Sequence, residues 1–221
     1  MEKSPIIEVR QLCLAYGPRV LCSDISFTLD RGECLLLAGP NGCGKSTLLK
    51  TLATRDGAKS AFIPTGIPKV KGFTVEEFIR TGCYRESDWA GRLNGEAMER
   101  MQEALALLGL EARREQDIST LSDGEFQKAC IAVGLTRHAQ VLLLDEPTAF
   151  LDVENRIMVL RTLQEVTRRT GMAVLFSSHD LHDALQVAGR VLAFTPGGNF
   201  LESQPQNREQ VLQAAFPLFR P

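Results

Sequence analysis

The 221-residue chain predicts an α/β fold: a parallel sheet flanked by helices, with an antiparallel β front end and an inserted α-helical segment. Three observations predict it. Short apolar runs of strand length alternate with helical patterns, as in a doubly wound sheet. A strand, a glycine-dense loop and a helix follow one another over residues 34–52. Residues 74–139 contain helices and no strand pattern, and read as an all-helical insertion. Hydrophobic content of 44% and charged content of 24% suit one globular unit with a sizeable core.

In chain order, residues 6–15 mix β-branched and alternating residues and read as a strand, which Tyr16-Gly17-Pro18 punctuates. Ile25 to Leu29 alternates cleanly, and Asp30-Arg31-Gly32 turns into the apolar strand Leu35–Ala38. Ser46 to Leu52 can be helical, residues 55–60 are a polar break, and Ala61-Phe62-Ile63 is a brief strand ended by Pro64. Thr74 reads as an N-cap, with Glu77 completing a capping box for a helix over 75–81. Residues 82–95, including Trp89, turn polar and Gly-rich and are expected to be loop. Met98, Met101, Leu105 and Leu108 recur at helical spacing, so 96–108 is an amphipathic helix stopped by Gly109. Another helix is expected from Thr120 to His138, then a strand at 141–144 ending in Asp145-Glu146. A helix over 152–170, a strand at 173–176, a helix over 181–188, a strand at 191–194 and a last helix near 208–216 complete the chain.

The glycine-dense loop carries the chemistry. Residues 39–46 match G-x-x-x-x-G-K-[ST], with Gly39, Gly44, Lys45 and Ser46 at the fixed positions and Asn41, Gly42 and Cys43 between them. Triphosphate oxygens need many N–H donors at close range. Glycines let the backbone approach them, and the following helix, which includes Thr47, aims its positive end at the anion. Lys45 supplies a point charge to the outer phosphates and Ser46 a hydroxyl for magnesium. The loop therefore predicts a nucleotide triphosphate, on a P-loop NTPase core. At the end of the 141–144 strand, Asp145 can hold the metal and Glu146 can polarise a water for in-line attack. Lys45, Asp145 and His179 all fall at carboxyl ends of predicted strands, where such sheets bind ligands. Tyr16 suits either a core or edge-strand role or an aromatic face for adenine. Cys43 lies among N–H donors near Lys45, which should favour its thiolate.

A net charge of −2 gives no electrostatic argument for nucleic acid. No apolar run approaches the roughly 18 residues of a membrane span, and the first residues lack a signal-peptide stretch, so a cytoplasmic location is expected. The six cysteines form no C-x-x-C pair and read chiefly as small buried hydrophobes.

With these residues in order, the chain resembles the ATP-binding subunits of ABC transporters over nearly its whole length. Leu121-Ser122-Asp123-Gly124-Glu125 resembles their signature motif, Leu142–Pro147 their Walker B strand, Leu151-Asp152 their D-loop and His179 their switch histidine. Thr74–Gly82 and the polar stretch after it resemble the branch serving iron–siderophore, haem or cobalamin uptake. The resemblance implies one ABC ATPase domain over 1–221. Its nucleotide-binding α/β core would comprise 1–73 and 140–221, and its helical subdomain 74–139 would carry the signature. It implies ATP and Mg2+ as cofactors, and a second copy of the chain in an ATP-sandwich dimer. Ser122 and Gly124 would act in trans, Glu146 as general base, and His179 and Lys45 on the γ-phosphate. Tyr16 would stack on adenine, and Asp152 would line the site. It further implies membrane permease subunits, a solute-binding protein, no nucleic acid, and a place on the cytoplasmic face of the membrane. The groove near residues 64–90 would receive a permease helix. Alternatives are the same engine driving an exporter, or a weakly hydrolysing regulatory subunit.

Three departures from the family pattern stand out. Thr65 replaces a glutamine, leaving a shorter possible metal ligand. Only 20 positions (65 − 45) separate Lys45 from Thr65, so most of a flanking β-hairpin is missing. Asp123 stands where a glycine is usual and Glu125 where a glutamine is. A helix N-terminus tolerates an acid by about 0.3–1 kcal/mol, and Asp123 is expected to point away from the nucleotide.

Overall fold

The computed structural model describes residues 5–89 and 92–217. Strands β1 (Ile7–Tyr16) and β2 (Arg19–Leu29) form an antiparallel two-stranded ribbon, with Ile7 opposite Leu29 and Tyr16 opposite Arg19. Its inner face buries Ile7, Val9, Leu14, Ile25, Phe27 and Leu29. The register slips between Val9 and Leu14, where Gln11 takes φ 48° and its N–H donates to the Ser26 hydroxyl at 2.9 Å. β2 starts six residues before the clean alternation at Ile25, because pairing with β1 holds the polar half in place.

Strand β3 (Cys34–Ala38) is buried along its whole length and leads through the glycine-rich loop into helix α1 (Lys45–Asp56). A single 3-10 turn, Gly57–Lys59, separates α1 from β4 (Ser60–Ile63), which leaves no room for a flanking hairpin. Helix α2 (Val75–Arg80) opens on the expected Thr74–Glu77 capping box. Part of the expected 82–95 loop is instead a 3-10 helix, Thr81–Glu86. It packs so closely on the later helix at residues 123–136 that a Cβ on Gly82 would lie 2.4 Å from the Val133 carbonyl oxygen and 2.1 Å from Thr136 Oγ1. Helix α3 (Gly95–Leu108) is capped by Asn94 and ends at Gly109 in the left-handed region. Helix α4 (Asp123–Thr136) begins three residues later than Thr120, because the Ser122 side chain caps it. It stops short of His138, whose φ of 56° cannot continue a helix.

Strand β5 (Val141–Leu144), helix α5 (Val153–Thr170), strand β6 (Ala173–Ser177), helix α6 (Leu181–Val187) and strand β7 (Arg190–Phe194) follow as alternating elements. A short strand β8 (Phe200–Glu202), absent from the sequence reading, and helix α7 (Arg208–Ala215) close the described chain. The main sheet has the order β4-β5-β6-β3-β7-β8, parallel except for β8. Both faces of the central strands are covered, so they read as continuous apolar runs and not as alternation. Leu36, Leu142, Leu144, Val174 and Phe176 point toward helices α2–α6. Leu35, Leu37, Leu143 and Leu175 point toward α1 and the β1–β2 ribbon.

Candidate functional site

The phosphate-type loop is built around two glycines. Gly39 has φ 152°, and a Cβ there would lie 2.7 Å from Cys43 Sγ and 2.9 Å from Phe194 Cβ. Gly44, at φ 115°, is the N-cap of α1 and offers no side-chain acceptor to the first turn, which also lacks acids. The helix therefore presents unsatisfied N–H groups at its start. Lys45 is 6% exposed, and its ammonium donates to the carbonyls of Gly39 at 2.8 Å and Pro40 at 3.3 Å. Asn41 and Gly42 are exposed; Ser46 and Thr47 are half-buried. The Cys43 thiol departs from expectation. Burial pushes it above its ordinary value, outweighing the Lys45 charge and backbone N–H groups that pull it down. The favoured thiolate expected from its neighbours is therefore not supported.

The end of β5 carries the two acids. Asp145 is 7% exposed, yet it forms no ion pair among the described residues. Its Oδ1 accepts from the Ser177 hydroxyl at 3.0 Å, and its main-chain carbonyl accepts from the Thr65 hydroxyl at 2.5 Å. Glu146 sits at φ 49°, a left-handed conformation that costs a non-glycine residue about 1–3 kcal/mol. Its N–H donates to Ser177 Oγ at 2.9 Å, and its Oε1 meets His179 Nε2 at 2.6 Å. Strand order explains this gathering. Lys45 follows β3, Thr65 follows β4, Asp145 and Glu146 follow β5, and His179 follows β6, all on the carboxyl edge of adjoining strands.

The start of α4 is a separate cluster. Ser122 and Glu125 form a reciprocal capping box, and Glu125 also pairs with Arg113 at 2.5 Å. Burial alone would raise the Glu125 carboxyl, but bonds from the Ser122 N–H and hydroxyl, with Arg113, hold it below its usual value. Asp123 pairs with Lys69 at 2.7 Å, and the same ammonium donates to the Leu121 carbonyl at 2.7 Å. Both unusual acids thus have partners within their own chain. Gly124 is buried against α5, whose N-cap Asp152 accepts from the Asn155 N–H and side-chain amide, each at 2.8 Å. These bonds hold the Asp152 carboxyl below its usual value. None of the described hydrogen bonds or ion pairs joins Ser122 or Gly124 to residues 39–47. Tyr16, at the far end of β1, is 74% exposed, which rules out a core role.

Sequence reasoning left Ser177, Lys69 and Asn155 without roles. For Ser177 the signal was present: two serines directly after an apolar strand, before His179.

A triphosphate-type loop at β3, with carboxylates at β5 and a histidine at β6, defines a P-loop nucleotide triphosphatase. Residues 22–149, more than half the chain, match the family model described as ABC transporter, and the chain belongs to that family as an ATPase subunit. It is 32% identical over 213 residues to the iron(3+)-hydroxamate import ATP-binding protein FhuC of Bacillus subtilis, covering 86% of this chain and 79% of FhuC. It is 29% identical over 218 residues to the ferric enterobactin transport ATP-binding protein FepC of Escherichia coli, covering 89% and 80%. Among solved structures it superposes on a metal-chelate-type ABC transporter in an inward-facing conformation. The TM-score is 0.83 and the identity 26%, over 96% of this chain and 88% of that one. Among the described residues, no helix is long and apolar enough to cross a membrane.

Proposed function

We propose that this subunit powers import of a metal chelate, of the iron–siderophore, haem or cobalamin type, through a separate membrane permease. The observation that carries the nucleotide chemistry is a pair of nearly buried, mutually unpaired charges, the Lys45 ammonium and the Asp145 carboxylate. Burying charges without counter-ions is costly, so each implies a charged ligand: phosphate for Lys45 and a cation for Asp145. The Ser46 hydroxyl and the Asp145 carboxylate are hard oxygen donors, which fit Mg2+. Ser46 and Asp145 would hold that ion, whose charge would offset the charge developing on the phosphates.

The chain's own residues would then act as follows. Gly39–Gly44 N–H groups and the uncapped start of α1 cradle the phosphates, and Lys45 turns from the loop carbonyls toward the γ-phosphate. Asn41, Gly42, Cys43 and Thr47 complete that cradle, and Tyr16 offers its exposed ring to adenine. Glu146 orients and deprotonates the attacking water. His179, now 2.6 Å from the Glu146 carboxylate, holds that base and contacts the γ-phosphate once nucleotide enters. Thr65 is committed to the Asp145 carbonyl, so it acts through the backbone and is not assigned to the metal. Ser122 and the Gly124 N–H start a capped helix that no cis phosphate loop uses, which supports their serving a second copy's nucleotide. Asp152 would lie beside that shared site. We infer one ABC ATPase unit over 1–221, with 74–139 as its helical subdomain.

Trp89, 99% exposed, stands with Tyr84 and Leu93 around a cavity of about 640 Å³ that Arg80 and Arg85 also line. This surface and the loop from residue 64 would receive a permease helix. That docking puts the subunit on the cytoplasmic face of the membrane, with a solute-binding protein on the other side. The names of the relatives, several of them siderophore import ATP-binding proteins, support the solute class. The test is purification with the co-expressed permease in vesicles. Ferric-chelate uptake that needs ATP and disappears in Glu146→Gln supports the reading. ATP-driven efflux, or chelate-independent association with no turnover, would overturn it in favour of an exporter or a regulatory subunit.

A further inference from the structure

We propose that Ser177 is a positioning residue, whose single hydroxyl fixes the metal carboxylate and the general base in one arrangement. This rests on the roles given above to Asp145 and Glu146. Ser177 is the last residue of β6 and is fully buried. Its O–H donates to Asp145 Oδ1 at 3.0 Å while its oxygen accepts the Glu146 N–H at 2.9 Å. A hydroxyl has one donor and can accept as well, so both capacities are used, and on two adjacent residues. Those residues follow β5, which pairs with β6 with Leu144 opposite Phe176, so residue 177 faces the β5 end directly.

The strained backbone gives this contact its consequence. Glu146 holds φ 49°, and a non-glycine residue stays there only when its surroundings over-determine the conformation. The Ser177 bond to its N–H is one such constraint, and the Glu146–His179 contact is another. His179 lies two residues beyond Ser177 on the same chain segment. Ser177 therefore ties the loop after β5 to the loop after β6 from beneath, while His179 and Glu146 tie them from above. Without the hydroxyl, Glu146 can relax toward an ordinary φ, which would swing its carboxylate from the water position. Asp145 would also lose the bond that orients Oδ1, leaving a metal ligand free to rotate.

The test compares Ser177→Ala, Ser177→Cys and Ser177→Thr in the full chain. Ser177→Cys keeps the volume with a weakly bonding thiol, and so covers the case in which Ser177→Ala misfolds. In Ala and Cys, kcat is expected to fall about 10–100-fold, the usual effect of losing a group that orients a metal ligand. KM for ATP should stay within about twofold, because only the reacting arrangement is lost. Mn2+ affinity with ATP bound, read by electron paramagnetic resonance in a Glu146→Gln background, should fall by a similar factor. Ser177→Thr, which keeps a hydroxyl, should recover most of both. A folded Ala or Cys variant with wild-type kcat and Mn2+ affinity would overturn the proposal, as would Thr behaving like Ala. Glu146→Gln alone separates the two levels. If it retains turnover, the reading of the site fails; if it is inactive while Ser177→Ala is active, only the role of Ser177 fails.

Discussion

Gly124→Ala is expected to destabilise the fold through α5. A Cβ at residue 124 would lie 2.2 Å from Asn155 Oδ1, 2.9 Å from Asn155 Cγ and 2.6 Å from Met158 Cε. Met158 can swing its terminal methyl aside. Asn155 cannot do so freely, because its main-chain and side-chain N–H groups both donate to the Asp152 carboxylate. Reaching the 3.4 Å of ordinary contact requires the amide to retreat by about 1 Å, which breaks its bond to the cap. Overpacking of this kind costs about 1–3 kcal/mol, and weakening an N-cap adds about 0.5–2 kcal/mol. Alanine's better helix propensity offsets up to about 1 kcal/mol. The net loss is then about 0.5–5 kcal/mol, measured as a lower urea midpoint at unchanged m-value. In a cycle with Asn155→Ala, which removes the obstacle, about 1 kcal/mol or more of coupling should appear. A Gly124→Ala protein within about 0.5 kcal/mol of wild type, or strict additivity with Asn155→Ala, would refute the packing argument.

Other expectations follow from the same contacts. Asp123 is 68% exposed in its pair with Lys69, so a double-mutant cycle should give a coupling of only about 0.2–1 kcal/mol. Lys69→Ala should cost more than Asp123→Ala in denaturant unfolding, because it also abandons the Leu121 carbonyl. Glu125 has a folded-state pKa below its ordinary 4.5, so its stabilisation of the α4 cap is present above that pH and lost as pH falls through the folded value. The unfolding midpoints of wild type and Glu125→Gln should accordingly differ at pH 7 and converge in acid. Iodoacetamide at pH 7 should reach exposed Cys13 before Cys43, whose thiol is pushed above its ordinary value by burial, and ATP should block labelling at Cys43. Mass spectrometry finding the reverse order would contradict the burial argument.

The central strands were legible because each is an apolar run closed by a turn or a polar residue, and the phosphate loop because its spacing is set by phosphate geometry. Elements that owe their form to a distant partner were not. β8 is three residues long and exists through pairing with β7; the polar half of β2 exists through β1. The 3-10 turn at 81–86 is shaped by α4, some 50 residues on. Lys69 finds Asp123 across 54 residues and Ser177 finds Asp145 across 32, and no local pattern encodes such a meeting. Cys43 shows a different limit. Its neighbours Lys45 and the loop N–H groups were visible, but the loop's own desolvation of the thiol was not, and burial is the larger effect.

The order β4-β5-β6-β3 also sets how far one loop is from another. Adjacent strands lie about 4.8 Å apart, so the loop after β4 stands roughly 14 Å from the one that cradles phosphate. Thr65 cannot span that gap, and its hydroxyl stops at the next strand, on the Asp145 carbonyl. From there Ser177 bridges to β6, the immediate neighbour of β3. A push on residues 64–73 would thus travel toward β3 through two short handovers, from β4 to β5 at Thr65 and from β5 to β6 at Ser177. In such a chain of contacts the stiffest link matters less than the loosest, and each handover rests on one hydroxyl.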